Sequence, residues 1–162
     1  MNTSERTTAA IVSLLYFVRM LGLFSILPVF TLAASKLYDS GPMLIGLTLG
    51  IYGLFQALLQ VPYGYLSDRF GRKPVLIAGL SVFIVGSLVA ALAERIEWVL
   101  VGRALQGSGA IAGVLLAVLA DGMRFEYRAR AMAMVGGSIG LAFGGSLILG
   151  PLLYAYGGLQ AL

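Results

Sequence analysis

The sequence of 162 residues contains no cysteine and no histidine. Without cysteine it forms no disulfide, no thiolate nucleophile and no Cys-based metal site. Without histidine it lacks the commonest metal ligand and general base. Charge is also scarce, because 11% of the residues are charged, whereas soluble domains contain about 25%. The seven acidic residues are scattered along the chain, so we expect no metal site, no cofactor and no enzyme active site.

Apolar residues dominate instead, at 59% of the chain, and the mean hydropathy is +0.94. Such a composition predicts a membrane protein. A helix that crosses a bilayer needs about 20 mostly apolar residues. Five stretches meet that requirement, at 8–33, 43–63, 74–93, 98–120 and 131–155. A secretory signal is the alternative for the first stretch, but its apolar length and the internal Arg19 favour a membrane helix. The predicted fold class is an all-α integral membrane protein with five transmembrane helices.

Lysine and arginine are distributed unequally among the loops between these stretches. The segments SDRFGRKP and DGMRFEYRAR carry three each, whereas SKLYDSGP and AERIE carry one each. Because basic residues are retained on the cytoplasmic side, we expect the N-terminus and both basic loops to be cytoplasmic. The net charge of +4 is then explained by the orientation of the protein in the lipid bilayer of the cell membrane. We expect no nucleic-acid partner.

The segment 64–74, GYLSDRFGRKP, concentrates charge in a short turn between two predicted helices. Gly64 allows close approach of helices, Gly71 allows a positive φ, and Pro74 suits the first turn of a helix. Asp68 either caps a helix or neutralises a neighbouring arginine. Two interpretations remain open from the residues alone, a plain charged turn and a gating hinge that contains a buried charge pair.

Two motifs resemble the major facilitator superfamily. The first matches the family signature between its second and third helices at Gly64, Leu66, Asp68, Arg69, Gly71, Arg72 and Lys73. The second, in the fourth stretch, is similar to the family's arginine-x-x-glutamine-glycine pattern at Arg103, Gln106, Gly107 and Gly109. The amino-acid sequences of the first, second and fourth stretches are most similar to those of the family's drug:proton antiporters.

The resemblance implies that residues 1–162 form part of an N-terminal six-helix half built from inverted three-helix repeats. A sixth helix would start near 159–162. The function it implies is secondary active transport, as proton-coupled, multidrug-type efflux of small molecules by alternating access. Its implied partners are a small-molecule substrate, protons, and the C-terminal half of the transporter or another membrane chain. Small amphiphilic or cationic drugs are the substrates that the family suggests.

The resemblance also implies roles for individual residues. The residue matching Asp68 meets a helix of the other half, and the residue matching Arg72 pairs with an acid at the end of the fourth helix, here Asp121. Together with Gly64, Arg69, Gly71 and Lys73, these residues are the predicted cytoplasmic gating cluster. In the fifth helix, Gly150 and Pro151 match the antiporter motif. Ser146, Tyr154 and Ala155 depart from that motif, which weakens the antiporter assignment but not the family assignment.

Two charged residues, Arg19 and Arg103, lie within the five stretches. Each costs about 2.5 to 3.5 kcal/mol on insertion scales near a helix centre. Arg103 is explained either by a side chain that reaches the outer interface or, as the family resemblance implies, by a role in the cavity and in coupling together with Gln106. For Arg19 we expect a cavity-facing or helix-buried position. Both arginines would favour an anionic group in the cavity.

The same five stretches contain no Asp or Glu. A proton carrier must then be Asp68, Asp121 or a residue beyond 162, because proton coupling generally uses an intramembrane carboxylate or histidine. Gln56 and Gln60 lie one helical turn apart and share a face. Helix packing explains them at least as well as substrate binding.

Glycines recur at four-residue spacing, which predicts close helix packing. The repeats are Gly46 and Gly50, Gly109 and Gly113, and Gly136, Gly140 and Gly144. They also support an alternative function. In that alternative the chain is a non-transporting membrane interaction protein, or a truncated transporter fragment, that assembles through these glycine-rich faces.

Overall fold

The computed structural model describes residues 1–34 and 41–158. Within these ranges the chain forms seven α-helices and no strand. Their bounds are α1 Thr3–Ser25, α2 Phe30–Ala34, α3 Pro42–Phe70, α4 Arg72–Ala91, α5 Ile96–Ser108, α6 Ala112–Asp121 and α7 Phe125–Gly157. Five segments of the described chain are long and apolar enough to cross a membrane, with α5 and α6 counted as one. The all-α, five-span membrane fold class is confirmed.

The charged turn is shorter than its sequence indicates, because most of it is helical. The helix predicted to end at residue 63 continues as α3 to Phe70, and α4 starts at Arg72. Gly71 alone separates them, with φ of +93° and ψ of 155°. That backbone region is essentially restricted to glycine, so Gly71 sets the sharp reversal. Pro74 lies in the first turn of α4.

Two of the five spans are interrupted. The stretch 8–33 divides into α1 and α2 around Pro28, which has no N–H to continue the helical hydrogen bonds. The stretch 98–120 divides at Gly109, whose N–H bonds to the carbonyls of Leu105 and Gln106 and closes α5. The predicted start of a sixth helix near 159–162 lies outside the described residues.

Helix α1 packs against α7, and α5 packs between α3 and α4. Glycine permits the tightest of these contacts. A Cβ on Gly107 of α5 would overlap the carbonyl oxygen of Tyr52 in α3, and a Cβ on Gly150 of α7 would overlap that of Ser25 in α1. Between α4 and α5, a Cβ on Gly86 would lie 2.7 Å from the carbonyl oxygen of Gly102.

Four-residue spacing was a poor guide to these contacts. Of the spaced glycines, Gly109 packs closely, against the carbonyl oxygen of Gly79, and Gly113 makes an ordinary contact with Gln60. For the others, a Cβ added to the backbone would have no described atom within 4 Å, so the packing prediction is wrong for them within this part of the chain. They are Gly46, Gly50, Gly136, Gly140 and Gly144.

Buried apolar side chains form two clusters. The larger joins α1, α6 and α7 and includes Val12, Leu115 and Val135. Across its edge, the Tyr16 hydroxyl donates a 2.6 Å hydrogen bond to the Ala112 carbonyl at the start of α6. The smaller cluster, around Phe30, joins α2 and the preceding Ile26 to α5. The larger cluster thus packs both interrupted spans against the continuous helix α7.

Candidate functional site

The charge cluster, which we define as Ser67, Asp68, Arg72 and Asp121, joins three helix ends. Arg72 Nε donates to Asp121 Oδ2 at 3.0 Å, across the gap between α4 and α6. Its NH1 group donates to Ser67 Oγ at 2.6 Å and to Asp68 Oδ1. One guanidinium therefore bridges the end of α3 and the end of α6.

The cluster is less buried than a closed hinge would require. The side chains of Asp68 and Asp121 are 66% and 61% exposed, and that of Arg72 is 28% exposed. Within the described chain the charge pair is therefore exposed, as in the plain charged turn and unlike the buried pair of the gating-hinge interpretation. Exposed ion pairs contribute little to stability, so these contacts are weak enough to exchange partners.

The remaining residues of the first motif surround this cluster without joining its ion pairs. Arg69 and Lys73 are exposed, and the Arg69 guanidinium lies 5.5 Å from the centre of the Phe70 ring. A Cβ added to Gly64 would have no described atom within 4 Å. The close helix approach predicted at Gly64 is therefore not formed by the described residues. Its carbonyl accepts a 2.8 Å hydrogen bond from Ser67.

A second ion pair supports the same end of the bundle. Glu5 is buried at the start of α1, and its Oε1 accepts a 3.0 Å hydrogen bond from Arg124 Nε. The backbone N–H of Asn2 donates to Glu5 Oε2 at 2.7 Å, and Asn2 in turn caps α1. The hydrogen bond to Glu5 raises the pKa of Arg124. This pair was not predicted from the sequence, although the Asn-x-x-Glu spacing is a recognised capping signal.

Arg19 is buried where α1, α3 and the break after α5 meet. It is 4% exposed. Its NH2 group donates to the Gly109 carbonyl at 3.0 Å, and to Tyr52 Oη and Gln56 Oε1 at 3.3 Å each. At the break, the Gly109 carbonyl thus accepts from both the Ile111 N–H, at 2.8 Å, and the arginine. The expected helix-buried position is observed.

Arg103 is equally buried, at 4% exposure, so its side chain does not reach an interface. Its NH1 group donates to Gln106 Oε1 at 2.9 Å, and Gln106 Nε2 donates to Ser87 Oγ at 2.9 Å. Its guanidinium carbon lies 4.8 Å from the centre of the Tyr52 ring. Arg103 and Gln106 line a cavity of about 90 Å³ between α1, α4 and α5.

Tyr52 connects the two arginines. Arg19 donates to its hydroxyl, and Arg103 lies over its ring. Neither arginine forms an ion pair within residues 1–34 and 41–158. Tyr52 was not predicted from the sequence, and Gln56 was not included in the predicted site. Tyr52 and Gln56 are one helical turn apart on α3, a spacing that places both on the face towards Arg19.

Gly150 and Pro151 lie inside α7, far along the chain from these contacts. Gly150 is buried against Ser25 and Pro28 of the α1–α2 segment. Pro151 is exposed within the helix. Within the described residues, this motif therefore joins α7 to α1 and contacts neither arginine.

Five apolar spans around two buried arginines, with an ion-pair cluster at one end, define a multi-pass helical membrane protein. The chain belongs to the Major Facilitator Superfamily, which it matches over residues 12–162.

Three relatives show how far the similarity extends. The chain is 46% identical, over its full length, to the inner membrane transport protein YajR of Escherichia coli K12, of which it covers 36%. It is 40% identical over 94% of its length to a transporter of Buchnera aphidicola from Schizaphis graminum, covering 39% of that protein. It is 33% identical over 70% of its length to the class B tetracycline resistance protein of Escherichia coli, covering 27%. The chain thus spans well under half the length of the curated relatives it matches.

Proposed function

We propose that this chain contributes to a secondary active transporter that moves a small molecule across the cell membrane by alternating access. Its finer activity, in this proposal, is proton-coupled efflux, with the N-terminus and the charge cluster on the cytoplasmic side. Membership of the superfamily and the names of its relatives support transport. The tetracycline resistance relative is compatible with export of small molecules.

The observation that carries the proposal is the bridging geometry of Arg72. Its guanidinium holds Asp68 at the end of α3 and Asp121 at the end of α6. Since both carboxylates are exposed, each remains accessible to a proton or to a helix from another part of the transporter. Breaking and remaking such weak pairs would let the cytoplasmic ends of the helices separate and close.

The test is Asp68→Asn in the protein expressed from its complete gene. We expect slower proton-driven efflux and a population shifted away from the state with the cytoplasmic side closed, because the neutral amide no longer forms an ion pair with Arg72. Efflux from proteoliposomes and distances between spin labels on the cytoplasmic helix ends measure the two effects. Glu97→Gln is the matched control, since Glu97 is also half-exposed and ion-paired, with Arg95, but is remote from the cluster in sequence.

Unchanged efflux and unchanged distances in Asp68→Asn would exclude the gating role. If efflux requires no proton gradient in the unmodified protein, alternating access driven by another ion replaces proton coupling.

A second candidate function rests on the open glycines of α3 and α7. A Cβ added to Gly46, Gly50, Gly136, Gly140 or Gly144 would contact no described atom, which leaves two small-residue faces for another membrane chain. A non-transporting interaction protein would use them in this way. It would co-purify with a defined membrane partner and show no efflux in proteoliposomes, whereas a transporter would be active when reconstituted alone.

A further inference from the structure

Arg103 is a buried cation without a compensating anion in the described chain. It is 4% exposed, its only described hydrogen bond goes to the neutral amide of Gln106, and its Nε has no hydrogen-bond partner in the described ranges. The cation–π contact with Tyr52 offsets part of the cost of desolvation. An unpaired buried charge nevertheless remains unfavourable until an anion meets it.

Arg19 adds to the positive potential rather than reducing it. It also lacks an ion-pair partner in the described chain, and its Nε and NH1 groups make no hydrogen bond there. Its guanidinium carbon lies 5.4 Å from the centre of the Phe83 ring, and Phe83 lines the same cavity as Arg103. Two guanidinium groups with neutral partners thus both contact Tyr52.

The cavity beside Arg103 has the size and lining for a small organic anion. Its volume is about 90 Å³. A single water molecule requires about 10 to 15 Å³, so the cavity can hold a molecule several times larger than water. Arg103, Gln106 and Ser87 are its polar residues, while apolar or small residues form the rest of its wall: Gly22, Ile26, Phe83, Ala90, Ala91 and Val99. Such a lining suits a small organic anion that carries its charge at one end of a short, narrow apolar chain.

Gln106 contacts the NH1 group of Arg103 and leaves its Nε without a partner in the described chain. Its Oε1 accepts from Arg103 NH1, and its Nε2 donates to Ser87. Ser87 donates onward to the Phe83 carbonyl at 3.0 Å. The chain of hydrogen bonds holds one side of the guanidinium in place before an anion arrives, which lowers the ordering cost of binding.

We propose that the cavity between α1, α4 and α5 binds the carboxylate of a small organic acid through Arg103, with Gln106 as positioning residue. A carboxylate is a strong acceptor for guanidinium N–H groups, and Arg103 Nε has no other partner in the described chain. The inference rests on the proposed function, because it assigns an organic acid as the substrate class of that transporter. It thereby departs from the cationic drugs that the family resemblance suggests.

The experiment measures binding alone, with butyrate as the probe and butyramide as its neutral counterpart. Protein expressed from its complete gene is purified into nanodiscs, and binding is followed by isothermal titration. We expect butyrate to bind and butyramide to bind at least 10-fold more weakly. Arg103→Gln should weaken butyrate binding at least 10-fold, whereas Arg130→Gln, which neutralises an exposed arginine on α7, should leave it unchanged.

Equal binding of butyrate and butyramide, or no binding of either, overturns the inference. The latter result is expected if an acid from another segment neutralises Arg103. The comparison of the two probes uses the unmodified protein, so it decides the question even if Arg103→Gln does not fold. If efflux depends on Asp68 but butyrate does not bind, the proposed function is retained and this inference is wrong. Butyrate binding without transport of any organic acid would retain the binding site and remove the substrate assignment.

Discussion

Glu5 and Arg124 are 119 positions apart in sequence, yet Arg124 Nε lies 3.0 Å from Glu5 Oε1. The contact ties the first turn of α1 to the segment that follows Asp121. At Gly122, which directly follows Asp121, an added Cβ would lie 3.1 Å from Thr8 Cγ2. Helix α1 therefore packs directly on this segment. The start of α1 therefore supports the turn from which Asp121 reaches Arg72.

We predict that Glu5→Gln lowers the thermal stability of the purified protein. The amide keeps the shape of the carboxylate but loses its charge and one acceptor, whereas Arg124 needs both oxygens of Glu5. Scanning fluorimetry of Glu5→Gln, Arg124→Gln and the double variant measures the effect. Because the two residues contact each other, the double variant should lose much less than the sum of the single losses.

Additive losses in this cycle would show that Glu5 and Arg124 act independently. Thr7→Val provides the control on the same turn, since the Thr7 hydroxyl is exposed and bonds to the Thr3 carbonyl of its own helix. Its melting temperature should stay close to that of the unmodified protein.

The number of spans followed from apolar length, since residues that must lie in lipid exclude charge over about 20 positions. The helix ends did not follow, because charged residues such as Asp68 and Arg69 continue α3 beyond the apolar stretch. Hydropathy reports where lipid ends, while backbone conformation decides where a helix ends. The apolar stretch ends at residue 63, whereas α3 continues to Phe70, just before Gly71.

The surroundings of Arg19 and Arg103 were also only partly predictable from the sequence. Their insertion cost marked Arg19 and Arg103 as buried functional candidates before any contact was known. Tyr52, which lies between them, carries no such cost and no motif, so nothing in the sequence distinguished it from the other tyrosines. Contacts between helices depend on their rotation and depth, which local sequence patterns do not specify.

A second prediction compares two glycines of the same motif. Gly71→Ala forces an L-residue into φ of +93° and ψ of 155°, which costs about 1 to 3 kcal/mol. A methyl group at Gly64→Ala meets no described atom within 4 Å and lies inside α3, where alanine is the better helix former by about 1 kcal/mol. Titration with sodium dodecyl sulfate gives both free energies of unfolding.

We expect Gly71→Ala to be the destabilised variant and Gly64→Ala to match or exceed the unmodified protein. Similar losses in both would mean that Gly64 is packed by residues outside the described ranges. No loss in Gly71→Ala would contradict the conformation described for the turn.

The last prediction separates close glycines from open ones. Gly107→Ala places a methyl group on the backbone carbonyl of Tyr52, and neither backbone can move without displacing a helix. Overpacking of this kind costs about 1 to 3 kcal/mol, and it shifts Tyr52 relative to both arginines. Gly136→Ala on α7 is the matched control, because its added Cβ has no described neighbour within 4 Å. Unfolding in sodium dodecyl sulfate should show a loss for Gly107→Ala alone. A comparable loss for Gly136→Ala would show that the glycine face of α7 is covered in the assembled protein, while a stable Gly107→Ala variant would contradict the packing of α5 on α3.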